Sequence, residues 1–239
     1  MRKNIFILFG ICALIISSCS PKVSTSISKT YDKLNSTEPI VVFGVDDAAP
    51  SNAEILGNLK IGESGLTVNC EFESVLALAT DEARKIGGNA IKLTEHNTPS
   101  ALGSSCHRIK ADILRIDNIE TFISTESSKD TSISDEYAVL HIYRQGGAGA
   151  LVGYDLYLGD NVICRVKNKW RETIIIREEG RNTLWARTEA KAELPINIQF
   201  GKEYYIRCSI TMGAFVGHPK IELVDSSVGK LEIKSIPIQ

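Results

Sequence analysis

The 239-residue chain has no excess of charge of either sign: 27 basic residues face 29 acidic ones. That balance gives no reason to expect a nucleic-acid partner, which would ask for a basic stripe or patch. There is no apolar run of about 20 residues, the length a bilayer-spanning helix needs. The four histidines show no metal-ligand spacing. No Gly-x-Ser-x-Gly elbow or His-Glu-x-x-His helix occurs, so two common hydrolase signatures are absent. Gly146 to Gly153 (GGAGALVG) is rich in glycine but lacks the Lys-Ser/Thr of a phosphate loop, and β-like sequence follows it. It reads as a flexible hairpin loop. No motif implies a cofactor or a metal.

What is present begins at the first residues. Arg2 and Lys3 precede Ile5–Ile16, an apolar run of about a dozen residues with the layout of a secretion signal. Ile16-Ser17-Ser18-Cys19 then resembles the lipobox of bacterial lipoproteins. The resemblance implies cleavage before Cys19 and diacylglycerol on its thiol. Without residues 1–18 the chain keeps 25 basic and 29 acidic residues, a net charge of −4. No acidic cluster follows Cys19, which favours a periplasm-facing anchor in the outer membrane over surface display.

Export sets the redox environment. Paired thiols in an oxidising compartment become disulfides. Cys70, Cys106, Cys164 and Cys208 are left after Cys12 departs with the signal and Cys19 is acylated, and they allow three pairings.

Two polar stretches divide the rest. Residues 19–37, rich in Ser, Thr and Lys, read as a flexible tether. Residues 121–136, with STESSKDTSISDE at their core, read as a linker. Between them, 38–120 carries strand patterns at IVVFGV (40–45), ILGNLKI (55–61, with a bend at Gly57), 90–93 and IKADILRI (109–116). Phe72, Val75, Leu76, Ala79, Ala83 and Ile86 form a helical stripe that Gly87-Gly88 stops. The expectation is an α+β domain, one helix on a small sheet. Residues 137–239 show only short β-rich runs between turn signals, with no convincing helix. An all-β sandwich is expected there.

Cys70 sits before the helix and Cys106 before the last strand of the first domain, points a strand–helix–strand path brings together. A bridge would close a loop of some 36 residues and stabilise by about 4 kcal/mol on loop entropy. Two other readings stand beside it. A nucleophilic thiol would need a base, and His107, next to Cys106, would point to the opposite face of a strand. A zinc site would need His96, Cys106 and His107 to converge with Cys70, at a spacing no standard zinc site has.

The residues Gly88-Asn89-Ala90-Ile91, after a helix ending ARKIGG, resemble the YbjQ-like group of small bacterial domains. Cys70 and Ser104-Ser105-Cys106-His107-Arg108 extend the similarity to the RcsF-like sensor lipoproteins of the Rcs envelope-stress pathway. This resemblance covers residues 38–118 and implies a Cys70–Cys106 bond. Those sensors have a second disulfide in this domain, and this chain lacks it, so their signalling role does not carry over.

Further on, His141-Ile142-Tyr143-Arg144, Tyr157-Leu158-Gly159-Asp160 and Gly201-Lys202-Glu203-Tyr204-Tyr205 resemble a bacterial β-sandwich family of unknown function, PEGA-like in pattern. That resemblance implies a fold and a lipoprotein setting, and no activity. Cys164 and Cys208 both fall in strand patterns of this part. They either bridge or serve as small buried residues. Arg165, Lys167, Lys169, Trp170 and Arg171 would offer a basic face to anionic lipid or glycan on one strand, but the Lys167-Asn168-Lys169 turn breaks the register.

The sequence therefore points to a membrane-anchored periplasmic lipoprotein that binds or senses an envelope protein, glycan or lipid and is not an enzyme. The alternatives are a purely structural envelope protein and a thiol- or metal-dependent enzyme.

Overall fold

The computed structural model of the chain describes residues 20–63, 70–100, 104–127, 133–211, 213 and 215–237. The leader and Cys19 lie outside them. The molecule is mostly β, with thirteen strands in three sheets and three helices among the described residues.

The first sheet has the order β1-β3-β5-β4-β2: β1 (Lys22–Ile27), β2 (Val41–Phe43), β3 (Glu54–Gly62), β4 (Ala90–Asn97) and β5 (Arg108–Arg115). All neighbours are antiparallel except β2 and β4. In β3 and β5 apolar residues alternate with polar ones. Leu59, Ile61, Ile109, Ala111 and Ile113 point inward; Lys60 and Lys110 point out. The inward set meets Phe72, Val75, Leu76, Ala79 and Ala83 of α1 (Phe72–Lys85) in one core. The helix ends where the stripe ends: Ile86 caps it and Gly87 takes φ +78°, which costs a residue without Cβ little. The bend at Gly57 is a register shift between Ile55 and Gly57 against β5.

Residues 19–37 do not form a loose tether. β1 starts at Lys22 and pairs along its length with β3; Ser28 and Lys29 then donate to Leu56 O, Tyr31 to Ile86 O and Leu34 to Arg84 O. Serine and threonine alternate with Val23 here, and a half-polar edge strand facing solvent needs no more apolar content than that. The stretch 121–136 also holds structure: α2 runs from Glu120 to Ser127, and Phe122 packs edge-on against Phe43.

Two four-stranded sheets follow and enclose a single core. One has the order β13-β12-β6-β9 and the other β11-β10-β7-β8. The strands are β6 (Ala138–Arg144), β7 (Tyr154–Leu158), β8 (Asn161–Val166), β9 (Trp170–Ile176), β10 (Gly180–Arg187), β11 (Lys191–Ile198), β12 (Glu203–Thr211) and β13 (His218–Val224). Gly159-Asp160 makes a two-residue turn with Gly159 at φ +58°. The GGAGALVG segment is no hairpin, because β6 and β7 lie in different sheets and the segment crosses between them. The Lys167–Lys169 turn likewise leads from β8 in one sheet to β9 in the other.

A third helix, α3 (Ser226–Lys234), stands where the sequence reading expects none. The Asp225 side chain accepts from Ser227 N–H and starts it. Val228 and Leu231 pack against the α1 core, while Val228 and Ile233 pack against Tyr143, Tyr205, Val224 and Ile236 of the second half. The helix lies flush on β12: a Cβ at Gly229 would come within 2.4 Å of the Tyr205 side chain. Thus α3 is a shared wedge between the first sheet's core and the sandwich.

Candidate functional site

The most developed concavity lies where the halves meet. It is a cleft of about 620 Å³ whose lining includes Cys70, Glu71, His107, Gln145–Ala148, Arg207, Lys220 and Glu222. Cys70 and Cys106 are joined by a disulfide at its rim, Cα atoms 5.0 Å apart, and His107 N–H donates to Cys70 O.

His107 does not serve Cys106. Its Nδ1 lies 2.8 Å from His96 Nε2, and both rings pack on Phe72, His96 stacked at 4.2 Å between centroids. His96 reaches this position through a register shift in β4 between Leu93 and Glu95. Simple alternation after inward Leu93 would send residue 96 outward. The extra residue returns it to the helix side. Gln145, from the end of β6, hydrogen-bonds His107 across the joint. Burial pushes His96 down to about 4 and His107 down to about 3, the latter helped by His96 and Arg207. One nitrogen of the contact donates and the other accepts, and burial favours the neutral form of both rings.

Beneath the cleft lies a buried ion network. Arg207 on β12 contacts Glu232 of α3 at 2.9 Å, Glu222 of β13 at 3.4 Å and Glu73 of α1 at 3.6 Å. Tyr143 O–H donates to the other Glu232 oxygen at 2.6 Å. The Glu232 side chain is wholly buried; burial raises its carboxyl above the ordinary range while Arg207 pulls it back. At the cleft mouth Lys220 pairs with Glu71 at 3.2 Å and Glu222 at 2.8 Å. Glu71 from the first half and Arg207, Lys220 and Glu222 from the second therefore line one opening.

The described residues bring no three His, Cys, Asp or Glu side chains together as a metal site. His96 and His107 do meet beside the disulfide, but both sulfurs there are bonded to each other. Cys164 and Cys208 are free thiols in the sandwich core, so no bridge joins them. Burial pushes both up to about 12, which keeps them as thiols rather than thiolates. Each occupies an inward strand position suited to a small apolar side chain.

The basic set at 165–171 is split between β8, the following turn and the start of β9. Arg165 on β8 pairs with Asp155 at 2.8 Å. Lys167 and Lys169 occupy the turn, Lys169 at φ +51°. Trp170 packs against the sandwich core. Arg171 donates to Ile233 O and holds the end of α3. Lys167, Trp170 and Arg171 line one concavity with His141, Glu172 and Thr173, while Arg165 and Lys169 stand outside it.

Arg144 is a residue the sequence reading did not single out as a site. It is buried and donates to the carbonyls of Val152 (2.6 Å), Ala148 (3.1 Å) and Gly149 (2.7 Å). The glycine-rich segment is thereby held by three hydrogen bonds to one charged donor, a strong arrangement for a loop. An arginine ending a core strand just before a glycine-rich segment is the signal that could have shown it.

Compared with known protein families, curated proteins and solved structures, the chain finds no match.

Proposed function

We propose that the chain is a lipid-anchored envelope protein, held at the periplasmic side of the outer membrane through Cys19, with a small α+β unit (38–120, extended by β1 at Lys22–Ile27) and a β-sandwich (137–239) that together form a non-enzymatic binding or sensing module. The observation that carries this reading is the composite cleft. Both halves contribute its walls, α3 fixes their relation, and the charges at its mouth pair with each other rather than converge on a reacting atom. A protein segment suits it best: the Gly146–Ala148 backbone offers amide groups, and the Lys220 and Glu222 side chains can exchange an internal ion pair for an intermolecular one. A thiol mechanism is disfavoured by the same geometry, since the described cysteines are either bonded or buried with raised thiol pKa values.

The test is a photo-crosslinking residue at Ser105 or Ala148 in growing cells, followed by purification of adducts from the envelope. A discrete protein adduct, absent when the same residue is placed at exposed Asn161, is the expected result. Adducts no different from those of Asn161 would sink the binding role. Mass spectrometry of the Cys19 peptide decides the anchor separately.

A further inference from the structure

One end of the molecule gathers features that the cleft does not use. The cross-strand register runs Lys22, Gly62, and then to Arg108 and Asn97 along the last row of the first sheet. The next row is Ser24, Lys60, Lys110 and Glu95. All of these side chains lie on the face away from α1. Lys22, Lys60, Arg108 and Lys110 stand there with Glu63 and Glu95, and Asp112 follows in the next row of that face: Lys110 pairs with Glu95 at 2.5 Å, and Arg108 reaches Glu63 at 4.0 Å. The corner is basic in a chain whose overall charge is slightly negative.

One sandwich loop touches the segment that follows β4, at the end of the sheet where Asn97 and Arg108 stand. Pro99, two residues past β4, lies against Gly146. Gly149 and Gly217 both rest on Ile210 at the end of β12, so the 146–153 and 215–217 segments are neighbours. Their tips are apolar and bare. Leu151 and Phe215 are almost completely exposed and Val216 is half exposed. This exposure is held in place: Arg144 grips the carbonyls of Gly149 and Val152 on either side of Leu151, and Glu189 accepts from the backbone N–H groups of Phe215 and Val216. Side chains anchored behind the backbone to present a leucine and a phenylalanine to water mark a contact surface.

The position of Cys19 selects the occupant. Two residues, Ser20 and Pro21, separate it from Lys22, a span of at most about 11 Å. An acylated Cys19 therefore holds the Lys22 corner within headgroup reach. We infer that this end of the molecule, through Lys22, Lys60, Arg108, Leu151 and Phe215, lies on the anionic surface of the bilayer that carries the anchor. The cations meet headgroup phosphates and the two loop tips enter the interface. The inference rests on the lipid-anchor reading.

The experiment uses the full acylated chain in vesicles of phosphatidylethanolamine with 30% phosphatidylglycerol, roughly the anionic content that gives a basic patch a measurable pull. F215W supplies the reporter and lipids with a spin label near the headgroup supply the quencher. F215W emission is expected to be quenched well beyond that of the wild type. Adding K60E with R108E, or raising salt to about 0.5 M, cuts that extra quenching severalfold. Melting curves of the variants check that the fold is kept, and L151S repeats the apolar arm without a new fluorophore, expected to raise salt sensitivity. Unquenched F215W, or quenching equal in vesicles without phosphatidylglycerol, overturns the inference and leaves the two tips to a protein partner. A Cys19 without lipid removes the anchor reading and this inference with it; a lipidated Cys19 with unquenched F215W removes the inference alone.

Discussion

A histidine pair buried beside a disulfide ties this fold to pH. His96 and His107 bind protons near 6.5 in an unfolded chain but only near 4 and 3 in the folded one. The folded state thus holds fewer protons between those values, and stability falls as pH drops from about 6.5 towards 4. For His107 the loss is about 2 kcal/mol between pH 7 and pH 5. Urea melts of the wild type and H107Q at both pH values check it: the variant loses much of the slope. Equal slopes would mean that the ring is already charged or solvated when folded. The sequence shows part of this site. The positions of Cys70 and Cys106 around a clear helical stripe are enough to bring them together. The partner of His107 is not readable, because the inserted residue in β4 that turns His96 inward leaves no trace in an apolar/polar pattern.

Among the elements, α3 has the largest leverage. It brings the fully buried Glu232 carboxylate to Arg207 and Tyr143, and it touches both cores. E232A leaves a buried guanidinium with two longer contacts and a phenol with none. A loss of about 3 kcal/mol is expected in denaturant melts, whereas Y143F, which removes one hydrogen bond and strands one acceptor, costs about 1. Equal, small losses would show that α3 is docked by its apolar side chains alone. Neither α3 nor β1 is legible at the level of pattern. The α3 sequence SSVGKLEIK carries a mid-helix glycine and a charged residue on its buried side, so its stripe is broken; only Asp225 signals a start. β1 has too few apolar residues to stand out from a linker, and its place comes from the free edge of β3. By contrast α1, β3, β5 and most of the sandwich strands follow directly from their periodicity and turn residues, since one face of each is buried in an apolar core.

The whole molecule behaves as one body if α3 and its ion pairs dominate. Lys234 reaches Asp47 at 2.6 Å, Lys220 reaches Glu71, and Arg207 reaches Glu73, all between the sequence halves on either side of the polar stretch. A protease site placed at 128–132 and then cut should yield two pieces that co-elute in gel filtration and part only in denaturant. Separate elution at moderate salt would mean that the covalent link was holding them. The division into two regions can be read from the polar stretch at 124–136, but their union cannot, because it depends on a C-terminal helix returning across more than a hundred residues to pack on α1.

The early start of β1 has a mechanical side. With Cys19 fixed in a bilayer, any pull between membrane and protein enters at Lys22 and runs along the strand axis. The six register pairs that join β1 to β3 then share the load at once, in shear, instead of opening one after another. A slack leash would absorb small displacements of the membrane before the domains felt them. With Cys19 acylated as proposed, Ser20 and Pro21 would leave little slack, and displacement at the anchor would become strain in the sheet that the Cys70–Cys106 staple and α1 lie against.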